Sequence, residues 1–258
     1  MLKGLYTAHT GMRNEQNRMD IMTNNLANAS TVGFKKEGST SQAFDTILAV
    51  KLKDISVGTG RVEPIGVNRP GVKIGENYTD YTQGSFRITN NTFDLALGGE
   101  GFFAVEFTNK MGETSTMYTR AGNFTLTEEG YLVTTDGDFV LDENNNRIKL
   151  DPLKGADIMQ DGTISQEGNV IARIQVADFA DYNYLERYGE TYFTPLEGAQ
   201  LIQSSASVQS GVLEMANVQV VSEMVNMITI TRQYESNQKV LQTYDSSLEI
   251  AVNQLGKL

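Results

Sequence analysis

Glycines, carboxylates and one histidine are the residues whose spacing invites a chemical reading. Gly98-Gly99-Glu100-Gly101 has the glycine density of a phosphate-cradling loop, in which backbone N–H groups bind anionic oxygens. It matches neither the P-loop nor the dinucleotide spacing, and Phe102-Phe103-Ala104-Val105 reads on as a strand where both motifs need a helix. A tight turn is the better reading. Asp136, Asp138, Asp142 and Glu143, with Asn144–Asn146, offer the oxygens that calcium takes. Their spacing is not that of an EF-hand loop, and polar hairpin turns use the same residue types. Carboxylate pairs are unavoidable among 32 acidic residues, so none of them marks glycosidase-type acid–base work. His9 is the only histidine, which leaves no His cluster and no triad. Cysteine is absent, excluding disulfides, thiolate nucleophiles and Cys-based metal sites. The expectation is no catalytic residue, no cofactor-binding residue and no metal ligand: the chain is not an enzyme.

What remains is a protein that works through its surfaces, and its charge is distributed accordingly. The net charge is −11. Residues 1–35 carry four Lys/Arg and two Asp/Glu, residues 218–258 carry three and four, and the middle holds the remaining −12. An acidic body repels nucleic acid and anionic membrane, so neither is expected as a partner. Nearly neutral ends suit surfaces that pack against copies of themselves, because like charge would otherwise accumulate with each subunit added. No stretch approaches the roughly 20 apolar residues of a membrane span. Met1-Leu2-Lys3-Gly4-Leu5 runs straight into polar sequence, so no cleavable secretory signal is expected.

The elements follow from periodicity and from the placement of turn residues. All four prolines and 20 of the 24 glycines lie between residues 36 and 217, so the ends read as helix and the middle as strands and turns. At the N-terminus Leu5, Met12, Met19 and Leu26 recur every seven residues, beside a second column of Met1, Ala8, Glu15, Met22 and Ala29. Gly33 is the expected stop. At the C-terminus Val220, Met227, Tyr234, Leu241, Leu248 and Leu255 form an unbroken column at the same spacing, flanked by a mixed one that includes Met224 and Val252. Asn217 is the expected N-cap and Gly256 the C-terminal stop. Such seams predict helices that run along a helical partner, about 40 Å and 55 Å long. An ordinary helical pair covering one globular core is the alternative.

In the middle, Tyr118–Val140 alternates and turns repeatedly, at Glu129-Gly130 and Asp136-Gly137. Asp161-Gly162 and Glu167-Gly168-Asn169 bracket and follow a short strand, before VIARIQVADF. Such turns between alternating segments predict antiparallel hairpins. The expected fold class is α+β: paired, long, coiled-coil-like N- and C-terminal helices plus a mostly antiparallel β-rich middle domain. The expected divisions are an N-terminal helix at 1–35, a connector at 36–75, the β-rich domain at 76–200, a second connector at 201–216 and a C-terminal helix at 217–258.

The same segments carry a family resemblance. GLYTAHTGM…QNRMDIMTNNLANASTVGFK, with Asn24-Asn25-Leu26-Ala27-Asn28 followed by Thr31, Gly33, Phe34 and Lys35, resembles the N-terminal signature of the flagellar axial proteins: rod, hook and hook-associated subunits. LALGGEGFFAV…YTRAGNFTLTEEGYLVTTDGDFVL is similar to the β-domain of rod and hook proteins. LEMANVQVVSEMVNMITITRQYESNQKVLQTYD resembles their terminal helix. The resemblance implies a structural subunit that polymerises through its terminal helices into a hollow drive shaft between basal body and hook. It implies a homo-oligomeric helical assembly, contacts with other rod subunits and hook protein, passage through the flagellar type III export apparatus, and a place in the basal body outside the cytoplasmic membrane. The length suits a rod subunit, and NNLANASTVGFK and EMVNMI look closest to the distal branch. The Gln-rich segment of many distal rod proteins is not recognisable in AVKLKDISVGTGRVEP (residues 49–64), which leaves a proximal rod subunit or rod-like paralogue open.

The residues expected to carry self-assembly are Leu5, Met12, Met19, Asn24, Asn25, Leu26 and Asn28 at one end. At the other they are Val220, Met224, Met227, Tyr234, Leu241, Leu248 and Leu255. Two readings from other classes compete: a secreted adhesin or surface enzyme with a helical anchor, which needs a polar constellation in a cleft, and a cytoplasmic coiled-coil regulator.

Overall fold

The computed structural model describes residues 2–52, 62–68, 71–109 and 111–255. Part of the 49–64 segment, the first seam position Met1 and the expected stop Gly256 lie outside the described residues. The chain divides into two compact units. Unit 1 comprises Met1–Leu26, Glu37–Asp80 and Gln219–Leu258; unit 2 comprises Ala27–Lys36 and Tyr81–Val218.

In unit 1, helix α1 spans Leu2–Ala27 and helix α2 spans Val220–Ile250, continued by a short π-helical turn at Ala251–Leu255. Strands β1 (Glu37–Ala43) and β4 (Val72–Thr79) pair antiparallel, and β2 (Ile47–Leu52) pairs with β3 (Val62–Asn68). α1 stops well before Gly33. The Thr31 N–H donates to the Asn28 carbonyl and its hydroxyl to Asn28 Oδ1, a local side-chain turn that competes with the helix ladder. At the other end Gln219, not Asn217, precedes the first turn of α2. Asn217 is occupied in unit 2, where Oδ1 accepts from the Lys36 N–H at 2.7 Å and Nδ2 donates to Thr82 O at 3.1 Å.

The expected fold class is corrected at the helices: there is one long C-terminal helix of 31 residues and an N-terminal helix of 26, and the two do not form a coiled-coil-like pair. The residues themselves explain this. A Cβ at Gly4 would fall 2.7 Å from the Tyr244 ring, and one at Gly11 would fall 3.0 Å from Asn237 Nδ2, so the helices approach each other there through glycine and a polar side chain. Interlocking seams need apolar knobs at such positions. α1 is also committed to its own strands. Asn14 is buried and exchanges hydrogen bonds with Ser41 of β1 at 3.0 and 3.1 Å, and the Tyr6 ring packs 6.4 Å from Phe44.

Unit 2 is the large β-rich body. Strands β5 (Phe86–Ile88), β6 (Leu95–Gly98), β7 (Phe102–Thr108) and β8 (Thr114–Thr119) open it. β7 is central in a nine-stranded sheet, pairing antiparallel with β8, Phe139–Val140 and Val176–Phe179. Both of its faces are buried, which accounts for the unbroken apolar run: Phe103 and Val105 join Leu95, Phe124, Leu132 and Ile148 in one core, while Phe102 and Ala104 join Tyr118, Phe179 and Phe193 in another. The hairpin between Thr163–Gln166 and Asn169–Arg173 turns through Glu167 (φ 52°) and Gly168 (φ 81°). Two successive left-handed residues match the right-handed twist of the flanking strands.

Candidate assembly surface

α2 presents two faces. One is a stripe of buried and half-buried residues at alternating spacings of four and three: Glu223, Met227, Ile230, Tyr234, Asn237, Leu241, Tyr244, Leu248 and Ala251. Met227, Tyr234, Leu241 and Leu248 belong to the expected column. Its companion column, Glu223, Ile230, Asn237, Tyr244 and Ala251, was missed because two of its five members are polar. Val220 and Met224 lie outside the stripe and are exposed, and the Leu255 side chain is outside the described residues. The opposite face carries Val221 and Ile228, 76% and 55% exposed, with Met224 and Val225 between them. At 3.6 residues per turn these four occupy an arc of about 100° opposite the stripe. An apolar arc of that kind on water is a marker of an interaction surface.

On α1, Leu5, Met12, Met19 and Leu26 are all half-buried, and Asn24 is exposed. Asn25 is buried and structural: its Nδ2 donates to Glu37 O at 2.7 Å and its Oδ1 accepts from the Glu37 N–H at 2.9 Å. One asparagine amide thereby supplies both backbone groups at the start of β1. Asn25→Ala should cost about 2 kcal/mol in unit 1, since it strands a buried donor and acceptor; hydrogen exchange of the β1 and β4 amides would read it, and an unchanged rate would refute the role. A groove of about 330 Å3 lined by Tyr6, His9, Arg13, Phe44, Val72 and Ile74 completes this surface.

The polar clusters of unit 2 read as structure. An open cleft of about 730 Å3 is bordered by Phe107, Asp136, Asp138, Glu190 and Tyr192. The Tyr192 hydroxyl donates to Asp138 at 2.8 Å. Burial pushes that hydroxyl above the ordinary tyrosine value and Asp138 adds in the same direction, so it stays a neutral donor. Arg147 binds both oxygens of Glu106 at 2.8 Å and holds that carboxyl below its usual range. Among the described residues no group of three or more His, Asp or Glu stands in metal-ligand geometry, and no helix is long and apolar enough to cross a membrane.

Comparison with known proteins places these elements in a family. Residues 5–35 match the model described as flagella basal body rod protein, residues 96–172 the flagellar hook protein FlgE/F/G D1 domain, and residues 209–255 the flagellar basal body rod FlgEFG protein C-terminal. The flagellar basal-body rod protein FlgG of Bacillus subtilis is 32% identical, with 98% of this chain and 99% of that protein covered. FlgG of Caulobacter vibrioides is 33% identical over the same shares. The flagellar basal-body rod protein FlgF of Caulobacter vibrioides is 34% identical, with both chains covered completely.

Proposed function

The chain belongs to the family of flagellar basal-body rod proteins, and we propose that it is the distal rod subunit and assembles through its two terminal helices into the hollow shaft leading to the hook. It is a structural subunit of the flagellar basal body, not an enzyme, and it assembles with other rod and hook proteins. Contact with further copies of itself and passage through the flagellar export apparatus complete the proposal. The observation that carries the self-assembly reading is the two-faced α2, which packs one stripe within its own unit and leaves Val221, Met224, Val225 and Ile228 on water. In a head-to-tail helical polymer every subunit offers such a face to a neighbour. The helix columns Leu5, Met12, Met19, Leu26 and Met227, Tyr234, Leu241, Leu248 are half-buried, and assembly would cover their remaining area.

The distal assignment follows the FlgG relatives; the FlgF relative of similar identity keeps another rod subunit as the second choice. The test of the assembly mode is removal of residues 220–258 from the full chain. Concentrated wild-type protein should form tubes by electron microscopy, and the shortened chain should form none while keeping the β-sheet signal of unit 2. Tubes from the shortened chain would overturn the role given to α2.

A further inference from the structure

Leu153 is 94% exposed, more than any other large apolar side chain among the described residues. It stands in unit 2 at the third position of the turn Asp151-Pro152-Leu153-Lys154, which the Lys154 N–H closes onto Asp151 O at 3.2 Å. Pro152 sits at the second position, where its fixed φ suits such a turn. Asp151 Oδ1 accepts from the Leu153 N–H at 3.1 Å. Gln166 is buried and braces the same turn: Nε2 donates to Asp151 O at 3.0 Å and to Lys154 O at 3.3 Å, and Oε1 accepts from the Asp151 N–H at 3.0 Å. Lys154 Nζ pairs with Glu167 at 2.6 Å. A lone exposed leucine needs no explanation. One held out by a proline turn and a buried amide is a preformed knob, and docking it costs little further ordering.

Unit 1 carries a matching recess. Tyr6, His9 and Arg13 follow one another at spacings of three and four on α1, and so share a face. With Phe44, Val72 and Ile74 they line the groove of about 330 Å3. Gly71, at φ 136°, lets the chain entering β4 come down on α1, since a Cβ there would run into the Thr10 side chain. Its carbonyl accepts from the Phe44 N–H at 3.1 Å. Arg13 and Lys73 border the groove, and no carboxylate lines it among the described residues. Around Leu153 the balance is reversed: exposed Asp151, Asp157 and Glu167 stand against Lys154 alone. We propose that the Leu153 turn of one copy docks in the α1–β4 groove of the next copy, the leucine against the apolar wall and the acids toward Arg13 and Lys73. Knob and groove are different surfaces of one chain, so each docked copy leaves one of each free and the contact propagates head to tail. The proposal rests on the self-assembly reading and adds to it a contact outside α2.

The chain has no cysteine, so introduced thiols report this contact cleanly. Full chains carrying Leu153→Cys and Ile74→Cys are concentrated separately and mixed, oxidised, and run on a non-reducing gel, with electron microscopy of the same samples. A disulfide forms only where the two Cα atoms come within about 7 Å. The mixture should give at least about tenfold more covalent dimer than either variant alone, as directed pairing does over chance collision. Tyr6→Cys supplies a second groove position, and Ile88→Cys, at an exposed site elsewhere in unit 2, a control for the knob. Tubes with no mixed dimer from either groove position would overturn the knob and leave self-assembly standing. Mixed dimer without tubes would uphold the docking and remove the tubular assembly. Neither dimer nor tubes would sink both. As much dimer from Ile88→Cys as from Leu153→Cys would mean collision, and the proposal would fall.

Discussion

Leu241→Asp is expected to abolish tube formation while leaving unit 2 folded. Leu241 is half-buried in the stripe that runs from Glu223 to Ala251 along α2, between Tyr234 and Leu248. Assembly through this helix would cover what remains of the side chain. A carboxylate there would lose water without gaining a partner, at a cost of several kcal/mol per subunit. That cost recurs at every subunit added, so concentration cannot compensate for it and the polymer should be missing, not merely shorter. Unit 2 contains no part of α2 and should keep its exchange protection. Electron microscopy of concentrated protein, with hydrogen exchange on the same sample, reads both halves of the prediction. Tubes of wild-type appearance would show that this column is not an assembly surface. Met227→Asp, one heptad pair earlier in the same column, should behave alike.

Gly33→Ala is expected to remove about 3 kcal/mol from unit 2, although it adds a single methyl. Gly33 sits at φ 70°, a left-handed conformation that costs an L-residue about 1–2 kcal/mol. The added Cβ would lie 2.3 Å from Ala121 N and 2.5 Å from the Arg120 carbonyl carbon. Both are backbone atoms, so no side chain can swing aside, and overpacking of this kind costs about 1–3 kcal/mol more. Retreat is blocked as well, because Arg120 and Lys35, two residues after Gly33, are both held by the buried Glu214. Urea unfolding followed by a unit 2 signal would measure the loss. A change below about 0.5 kcal/mol would mean that the segment 27–36 is not docked as described.

The parts of the fold that depend on near neighbours in sequence were the legible ones. Glu167-Gly168 between two alternating runs announces its hairpin, and the run Phe102–Val105 announces a buried strand, whose burial on both faces the structure adds. The spacing of Met227, Tyr234, Leu241 and Leu248 placed one edge of the inward stripe. It could not place the other edge, because Glu223 and Asn237 disguise that column as solvent-facing. Heptad spacing also marks only that a helix has a buried side, not what covers it. Gly4, Gly11, Asn14 and Asn237 show that the cover includes glycine, amides and the β1–β4 pair, and there the expectation of a coiled-coil-like pair failed. Most remote from sequence reasoning was the cluster of Lys35, Arg120 and Glu214, since an ion pair across 179 residues leaves no periodic trace. Its one available signal was that two signature segments, STVGFK and LEMAN, each end or begin beside a single opposite charge.

The terminal helices are the proposed assembly surface. Hydrogen exchange compared between purified monomer and tubes grown from it tests that claim most directly. The α1 and α2 amides should exchange at least about tenfold more slowly in the tube, as a segment does when its local opening is coupled to leaving a neighbour. The core amides of β7 and β8 should be unchanged. Slowing confined to unit 2, with α1 and α2 exchanging alike in monomer and tube, would rule out the terminal helices and move the assembly surface onto the β-body.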